Sequence, residues 1–228
     1  MEKVVIFGAA AAAVRSYFYL THDSPYQVVG FTVDQSYIQE ERLCGLPVVP
    51  FEQVESIYPP GETKMFVSIL ASRVNKTRAE KYQQAKAKGY ELIRYISSKA
   101  IAWPGMTVGE NCFIGEGTIC TPFPFPRIGN DVIIMAGVMI GHDVVIKDHC
   151  FIASRAVILG AVTVEPYCVL GANSTILDGV TVARECVIGA GAVIHENTRE
   201  KGVYRANPPS LLPLPSDKLE NILFRRQR

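Results

Sequence analysis

The residues with the clearest capacity for chemistry are His142 and Asp143, which follow Ile140 and Gly141 in the chain. A neutral imidazole accepts a proton readily near pH 7, because its unperturbed pKa lies close to neutrality. A neighbouring carboxylate can orient the ring and stabilise the imidazolium that forms. The pair is therefore a candidate general base with an orienting carboxylate, and the alternative is an ordinary surface turn.

The other histidines do not predict a metal site. His142 and His149 are seven residues apart, and the next histidine, His195, follows 46 residues later. Catalytic zinc needs three converging protein ligands, and the chain has no CxxC pair to supply them. We expect no bound metal, and we expect His149 to be a solvated corner residue.

A six-residue period surrounds the candidate base. From Ile128 to Ile194 every sixth residue is aliphatic, and the residue two positions earlier is small or β-branched from Ile134 onward. Neither a helix nor an alternating strand has this period, whereas a parallel β-helix places one short strand and one corner in each hexad. His142 and Asp143 lie outside the aliphatic column, so they should face outward or into a groove between subunits.

Four of the six cysteines belong to the small-residue column of this period. Cys150, Cys168 and Cys186 are 18 residues apart, which is one full coil, and Cys112 falls in the same column. A cysteine in such a column behaves as a small hydrophobic residue. We expect these thiols to be buried and unpaired.

The period slips once. The interval from Ile114 to Ile128 is two hexads plus two residues, and the sequence TPFPFP, from Thr121 to Pro126, occupies the slip. Proline cannot continue a β-ladder, so this segment should protrude as a loop. The loop is either a lid over the site or a hydrophobic flap over the edge of the coil.

Residues 1–97 predict a separate α/β domain. The strand candidates KVVIF, VVGFTV, MFVSIL and ELIRYI alternate with an Ala-rich helix from Ala9 to Leu20 and a helix RAEKYQQAKAKG that closes at Gly89. This alternation favours a small, Rossmann-like parallel sheet. Residues 98–209 would form the β-helix, and residues 210–228 a short C-terminal capping tail.

Charge and hydropathy exclude two classes of partner. The chain has 23 basic and 22 acidic side chains and no basic stripe, which argues against a nucleic-acid partner. No apolar run is long enough for a membrane-spanning helix, and the N-terminus predicts a strand and a helix rather than a signal peptide. We expect a cytoplasmic protein without membrane insertion.

A hexad array that follows a small α/β domain resembles the hexapeptide-repeat acyltransferases, in particular the nucleotide-sugar and sialic-acid acetyltransferases. The resemblance implies a left-handed parallel β-helix and a homotrimer that holds acetyl-CoA between subunits. It also implies an N-terminal domain that holds a nucleotide-linked sugar. The family's Gly-His-acidic segment matches Gly141 to Asp143, which implies that His142 is the general base and Asp143 its orienting partner.

The resemblance therefore predicts an acetyl-CoA-dependent N-acetyltransferase that acts on a nucleotide-linked amino-deoxysugar in surface-glycan biosynthesis. One alternative is an O-acetyltransferase of sialic-acid-like sugars, which would depend more strongly on the base because a hydroxyl is harder to deprotonate than an amine. The other is a non-catalytic, trimeric protein that only binds the sugar nucleotide.

The resemblance also implies contacts with the acetyl donor. Small residues along the β-helix edge would contact CoA, and a basic residue near the end of the array would meet its phosphates. Many members carry a second histidine beside the acetyl thioester, and this chain has phenylalanine there. The predicted donor contacts are Gly160, Ala172, Ala190, Phe151, Lys201 and Arg205.

Contacts with the nucleotide are predicted in the N-terminal domain. Gly8 and Ala10 lie in the turn after the first strand, where family members have a Gly-rich turn with a histidine and this chain has five alanines. The helix N-terminus there remains available to phosphate. Asp34 would accept hydrogen bonds from a ribose or a base, while Asn75 and Arg78 would contact phosphate or simply cap and solvate their helix.

Overall fold

The N-terminal domain is built around one sheet of five strands. In the computed structural model, which describes residues 1–206, the strand order is β3-β4-β2-β1-β5, and only the β3–β4 pair is antiparallel. Two short 3₁₀ turns span Gln35–Tyr37 and Phe51–Gln53. The elements are β1 (Glu2–Phe7), α1 (Ala11–His22), β2 (Tyr26–Val33), β3 (Arg42–Leu43), β4 (Leu46–Pro50), α2 (Val54–Ile57), β5 (Thr63–Val67) and α3 (Lys76–Ala87).

Helices cover both faces of this sheet. The helix α1 packs on one face through Ala13 and Leu20, and α3 packs on the other through Tyr82 and Ala85. Burial of each large apolar side chain contributes about 1.5–3 kcal/mol before the loss of conformational entropy. The strand–helix alternation predicted from the sequence is confirmed, and Gly89 ends α3 with a φ of 88°, the left-handed conformation that suits glycine after a helix.

The rest of the described chain is a parallel solenoid of two-residue strands with three faces. The first face has the order β19-β16-β13-β10-β7, the second β22-β20-β17-β14-β11-β8-β6 and the third β21-β18-β15-β12-β9. The strands are β6 (Tyr95–Ile96), β7 (Thr107–Val108), β8 (Phe113–Ile114), β9 (Ile119–Cys120), β10 (Arg127–Ile128), β11 (Ile133–Ile134), β12 (Met139–Ile140), β13 (Val145–Ile146), β14 (Phe151–Ile152), β15 (Val157–Ile158), β16 (Thr163–Val164), β17 (Val169–Leu170), β18 (Thr175–Ile176), β19 (Thr181–Val182), β20 (Val187–Ile188), β21 (Val193–Ile194) and β22 (Val203–Tyr204).

The predicted period of six is the repeat of strand and corner. The second residue of each strand points inward, and the aliphatic column it forms is buried along the solenoid axis. Strands 18 residues apart pair in register, as Val145 does with Thr163. The four cysteines of the small-residue column are buried in the same core, and all six cysteines are free thiols.

Each corner contains one residue in the left-handed conformation. Corner A joins the third face to the first (141–144, 159–162 and 177–180), with residues 121–126 in its place one coil earlier. Corner B joins the first face to the second (109–112, 129–132, 147–150, 165–168 and 183–186), and corner C joins the second to the third (115–118, 135–138, 153–156, 171–174 and 189–192). Left-handed residues include Asp143 in corner A, His149 in corner B and Asn173 in corner C.

The structure corrects the boundary between the domains. ELIRYI is not one strand: Leu92 bridges to Met65 in the N-terminal sheet, whereas Tyr95 and Ile96 pair with β8 on the second face. The solenoid therefore begins at Tyr95 rather than at residue 98. The predicted loop is confirmed at residues 121–126, between β9 and β10. The predicted tail, 210–228, lies outside the described residues.

The N-terminal domain packs on the second face. The ring of Tyr19 on α1 contacts Tyr95 and Phe113, and its hydroxyl donates to Glu116 at 2.7 Å. At the end of α1, hydrogen bonds from Ser98 and Tyr95 hold the pKa of the Asp23 carboxyl at about 2. No helix within residues 1–206 combines the length and the apolar character needed to cross a membrane.

Candidate active site at corner A

His142 is an exposed residue at corner A, directly after β12. Its carbonyl oxygen accepts the N–H of Ala161 from the next coil at 2.8 Å, which fixes the backbone. Its imidazole lies over Gly160, so closely that a Cβ on Gly160 would collide with Nε2 and Cε1. The ring is therefore held at the surface, with a ring nitrogen directed along the corner toward the next coil.

Asp143 does not make the predicted contact with the imidazole. Its φ is 54°, its N–H donates to the carbonyl of Pro124 at 2.8 Å, and its carboxylate lies 3.4 Å from Nη2 of Arg127. No hydrogen bond joins Asp143 to His142 in the part of the chain that the structure describes. The left-handed backbone turns the two side chains apart, so packing on Gly160, and not a carboxylate, orients the ring.

The predicted donor residues divide between two corners. Gly160 belongs to corner A but is buried beneath His142, so it makes room for the ring instead of presenting backbone to a ligand. Ala172 and Ala190 lie on successive coils of corner C, where Ala190 is exposed and the N–H of Gly191 donates to the Ala172 carbonyl at 2.9 Å. Corners A and C border the third face, which places His142 and these alanines at its two edges.

Arg205, also exposed, extends the small-residue edge at corner C. A Cβ built on Gly189 would lie 3.4 Å from Cα of Arg205, which places this arginine directly above the corner. Lys201 is elsewhere: its N–H donates to the carbonyl of Arg184 at corner B. Within one chain the last coil carries Lys201 to the opposite edge of the second face from Arg205, and its contact with the donor stays a prediction.

Phe151 packs in the contact between the two domains. It is the outward residue of β14 on the second face, and its ring packs against the apolar cluster formed by α1, the N-terminal sheet and Phe113. Within one chain this position faces the N-terminal domain and not corner A, and its contact with the donor stays a prediction.

A cleft of about 360 Å³ lies where β1 and β2 end. It is lined by Ala9 and Ala10 together with Tyr37 and Glu40. Gly8 beside it has a φ of 134° and would place a Cβ 2.9 Å from the carbonyl oxygen of Ser68, so only glycine fits. Ala10 precedes α1 without a side-chain cap, which leaves the first N–H groups of the helix open to an acceptor.

Asp34 does not line this cleft. It lies in a separate cavity of about 500 Å³ with Phe51 and Lys81, and its carboxylate is 2.6 Å from the Lys81 ammonium. The predicted contact with a ribose or base is therefore replaced by an ion pair with α3.

Arg78 and Asn75 are buried structural residues, contrary to the prediction that they contact phosphate. The Arg78 side chain is fully buried, with Nε 3.1 Å from a carboxylate oxygen of Asp131 and Nη2 donating to the Cys150 carbonyl at 3.2 Å. Asn75 donates to the Cys168 carbonyl at 3.1 Å. The start of α3 packs against corner B, and the polar groups of both side chains are used in that contact.

His149 belongs to the same buried contact and is not solvated. Its Nδ1 lies 2.8 Å from the second carboxylate oxygen of Asp131, and its ring stacks on Tyr167 with centroids 4.8 Å apart. Sequence reasoning missed the column it belongs to, although an 18-residue spacing links most of its members. This corner-B column consists of Asn111, Asp131, His149, Tyr167 and Glu185, each with a positive φ.

Comparison with known proteins identifies the repeat. Residues 125–160 and 161–196 match the family model described as bacterial transferase hexapeptide (six repeats), and residues 105–142 match the hexapeptide repeat of succinyl-transferase. These matches, with the three stacked faces, make the solenoid a left-handed parallel β-helix, as predicted. The sequence has no significant match among curated proteins.

Several solved structures share the fold of both domains. A mutant of perosamine N-acetyltransferase from Caulobacter crescentus, in complex with CoA and GDP-perosamine, is 22% identical with a TM-score of 0.78, over 90% of this chain and 94% of that chain. The acetyltransferase domain of PglB from Neisseria gonorrhoeae, in complex with acetyl coenzyme A, is 18% identical with a TM-score of 0.75, over 92% and 99%. WeeI from Acinetobacter baumannii is 18% identical with a TM-score of 0.77, over 93% and 100%.

Proposed function

Residues 105–196 match hexapeptide-repeat models of transferases, and from this premise we propose an acetyl-CoA-dependent sugar N-acetyltransferase. Its acceptor would be a nucleotide-linked amino-deoxysugar used in surface-glycan biosynthesis. The observation that carries the proposal is the exposed imidazole of His142, held on Gly160 at the border of the third face. Two similar structures, which contain CoA with GDP-perosamine or acetyl coenzyme A, support the choice of ligands.

The proposed reaction needs one proton transfer on the protein. The amino nitrogen of the sugar attacks the thioester carbonyl carbon, and a nitrogen–carbon bond forms. His142 accepts the proton that the amine loses as this bond forms. The carbon–sulfur bond then breaks, and the proton passes to the departing thiolate, which restores neutral His142. The exposed position of the ring lets the amine approach it directly.

Small residues support binding of the donor along corner C. Ala172 and Ala190 leave backbone accessible there, and the exposed guanidinium of Arg205 supplies a positive charge for the CoA phosphates. Gly160 contributes to the site indirectly, because the absence of a side chain there leaves room for the imidazole of His142. The backbone N–H of Asp143, which donates to the Pro124 carbonyl, would help to fix the adjoining corner.

The cleft beside α1 is the proposed site for the nucleotide. Gly8 allows the close turn between β1 and α1, and Ala10 leaves the helix N-terminus uncapped. The positive end of the helix dipole and its free N–H groups favour a diphosphate. The Ala-rich turn changes the shape of this site relative to a Gly-rich one, but it retains the donors that phosphate needs.

A homotrimer would complete the site. The outward residues of the third face include Ile119, Met139 and Val193, which are 42%, 38% and 58% exposed. An exposed apolar ladder of this kind favours contact with another subunit. Because corners A and C border this face, a neighbouring chain there would turn the open edge into a groove for acetyl-CoA. An enzyme that consumes acetyl-CoA and sugar nucleotides would act in the cytoplasm.

The experiment that tests this function is a transfer assay with acetyl-CoA and a panel of GDP-, UDP- and dTDP-linked amino-deoxysugars. Thermal unfolding with each ligand identifies the nucleotide, because a bound ligand stabilises the folded state. We expect one acceptor to yield an amide product, and His142→Ala to lower kcat/KM by about 10²–10⁴-fold.

Three results would contradict the proposal. Transfer at the wild-type rate by His142→Ala would remove this residue from the mechanism. An ester product would identify an O-acetyltransferase. Binding of a sugar nucleotide without binding of millimolar acetyl-CoA would identify a non-catalytic relative.

A further inference from the structure

The loop of residues 121–126 holds an aromatic ring in solvent close to the candidate base. Phe123 is 79% exposed. The ring of Phe125 instead packs over Gly105, where a Cβ built on the glycine would lie 3.4 Å from Cε2 of the ring. The two phenylalanine rings lie 5.3 Å apart between centroids. Of the two rings, that of Phe125 packs on the β-helix, whereas among the described residues that of Phe123 contacts only its neighbour in the loop and solvent.

Two backbone hydrogen bonds attach this loop to the residues on either side of His142. The N–H of Thr121 donates to the carbonyl of Ile140 at 2.9 Å, and the carbonyl of Pro124 accepts the N–H of Asp143 at 2.8 Å. Phe123 itself has a φ of 58°, a conformation that is rare for an aromatic residue. The outward position of the ring is therefore imposed by a fixed loop.

The loop that carries Phe123 lies on one side of His142 along the β-helix axis, and the proposed donor residues lie on the other. The loop replaces corner A one coil before His142, at a spacing of about 4.8 Å between strands. The imidazole packs against Gly160, which is one coil further toward the C-terminal end of the β-helix. Ala172 and Ala190 lie further in the same direction. A donor bound along the later coils leaves the side nearest Phe123 for the acceptor.

We propose that Phe123 is a specificity-determining residue whose ring supports the apolar face of the acceptor sugar while the amino group reaches His142. The inference rests on the proposed function. A deoxysugar ring presents C–H groups on one face, and its missing hydroxyl enlarges that apolar surface. An aromatic face fixed beside the base would recognise this surface and orient the amine.

The test compares Phe123→Ala with wild type in the transfer assay. We expect the KM of the acceptor to rise about tenfold, since loss of an aromatic contact costs on the order of one power of ten in affinity. The KM of acetyl-CoA should stay within about twofold of wild type, and Phe123→Tyr should restore the acceptor KM because it keeps the ring. Phe18→Ala is the matched control, because Phe18 is a 57% exposed phenylalanine on α1.

The outcomes separate this inference from the proposed function. If the wild type transfers acetyl to none of the panel, the proposed function is wrong and the role of Phe123 in it is withdrawn. If the wild type is active and Phe123→Ala keeps the acceptor KM, only the inference is wrong. A rise in the acetyl-CoA KM would assign the ring to the donor, and an equal effect of Phe18→Ala would make the change non-specific. Either result overturns the inference.

Discussion

His142 is positioned by the absence of a side chain at Gly160. The imidazole occupies the space that a Cβ would fill, and the described residues include no hydrogen bond that anchors the ring. A general base must stay within hydrogen-bonding distance of the proton that it removes. The identity of residue 160 should therefore control catalysis without contacting the substrate.

Gly160→Ala tests this dependence while it leaves the imidazole in the protein. The new methyl group would displace the ring, and a misplacement of about 1 Å can cost about 100-fold in rate. We expect kcat/KM to fall on the order of 10–100-fold, and the melting temperature to change little because an exposed ring can move aside. Steady-state kinetics and thermal unfolding measure the two effects.

Gly61→Ala is the control for this substitution, because a Cβ on Gly61 would meet no atom within 4 Å. Equal activity of Gly160→Ala and wild type would show that the ring has no required position. A large loss of stability would show instead that Gly160 serves the packing of the coil.

The sequence predicted the location of His142 but not its surroundings. Its place outside the aliphatic column follows from the period of six, which is a local property of the chain. The ion pair of Asp143 with Arg127 was not predictable, because the loop at 121–126 brings Arg127 to this corner. Phe151 was predicted only as a donor contact, because the period does not reveal which domain covers the second face.

The contact between α3 and corner B is the main polar contact at the scale of elements. Arg78 and Asp131 are both fully buried, and the Asn111 amide donates to the same carboxylate at 2.7 Å. A buried charge whose partner is removed costs much more than an exposed one. This contact should therefore hold the two domains together.

Arg78→Met tests the contact, because it removes the charge and keeps an apolar stem of similar length. We expect the free energy of unfolding to fall by about 3–5 kcal/mol, since the Asp131 carboxylate would remain buried without its cation. Chemical denaturation measures this change. Adding Asp131→Asn should recover part of the loss, because the uncompensated charge disappears.

Arg73→Met is the matched control, because Arg73 forms an ion pair with Glu80 in which the side chains are 63% and 51% exposed. Such surface pairs contribute about 0–1 kcal/mol. Equal losses for the two methionine variants would contradict a special role for Arg78.

The sequence predicted α3 itself and missed what its first turn contacts. Asn75 and Arg78 have the side chains that bind phosphate at a helix N-terminus, and the same groups satisfy backbone carbonyls when a second domain covers them. The 18-residue spacing of Asp131, His149 and Tyr167 was available as a signal. Its meaning depends on which corner faces α3, and only the tertiary structure shows that.

For the molecule as a whole, the three faces of the β-helix differ in what covers them. The N-terminal domain packs on the second face, while the third face carries exposed aliphatic residues from Ile119 to Val193. The proposed trimer assigns that third face to a neighbouring subunit.

Val193→Asp tests this assignment. A carboxylate at a position that is 58% exposed in the single chain should leave the fold intact, but it would be desolvated at a subunit interface. We expect the mass measured by light scattering to shift from a trimer toward a monomer, with loss of transfer activity.

Thr163→Asp is the control, because Thr163 is the outward residue of β16 on the first face. It should keep the wild-type mass. A wild-type chain that is monomeric at micromolar concentration, or a trimer that survives Val193→Asp, would exclude the third face as the interface.

The corner-B column also limits how the length of this protein can vary. If one 18-residue coil before Asp131 or His149 were lost, the strands would still stack in register. The corner-B residues would move by one coil relative to α3, however, so a different side chain would face Arg78. The contact of Lys76 with Glu185, at 2.8 Å, marks the last rung of the column that α3 reaches. Insertions and deletions of whole coils should therefore be tolerated after Glu185 and selected against before it, so natural variation in solenoid length is expected at the C-terminal end.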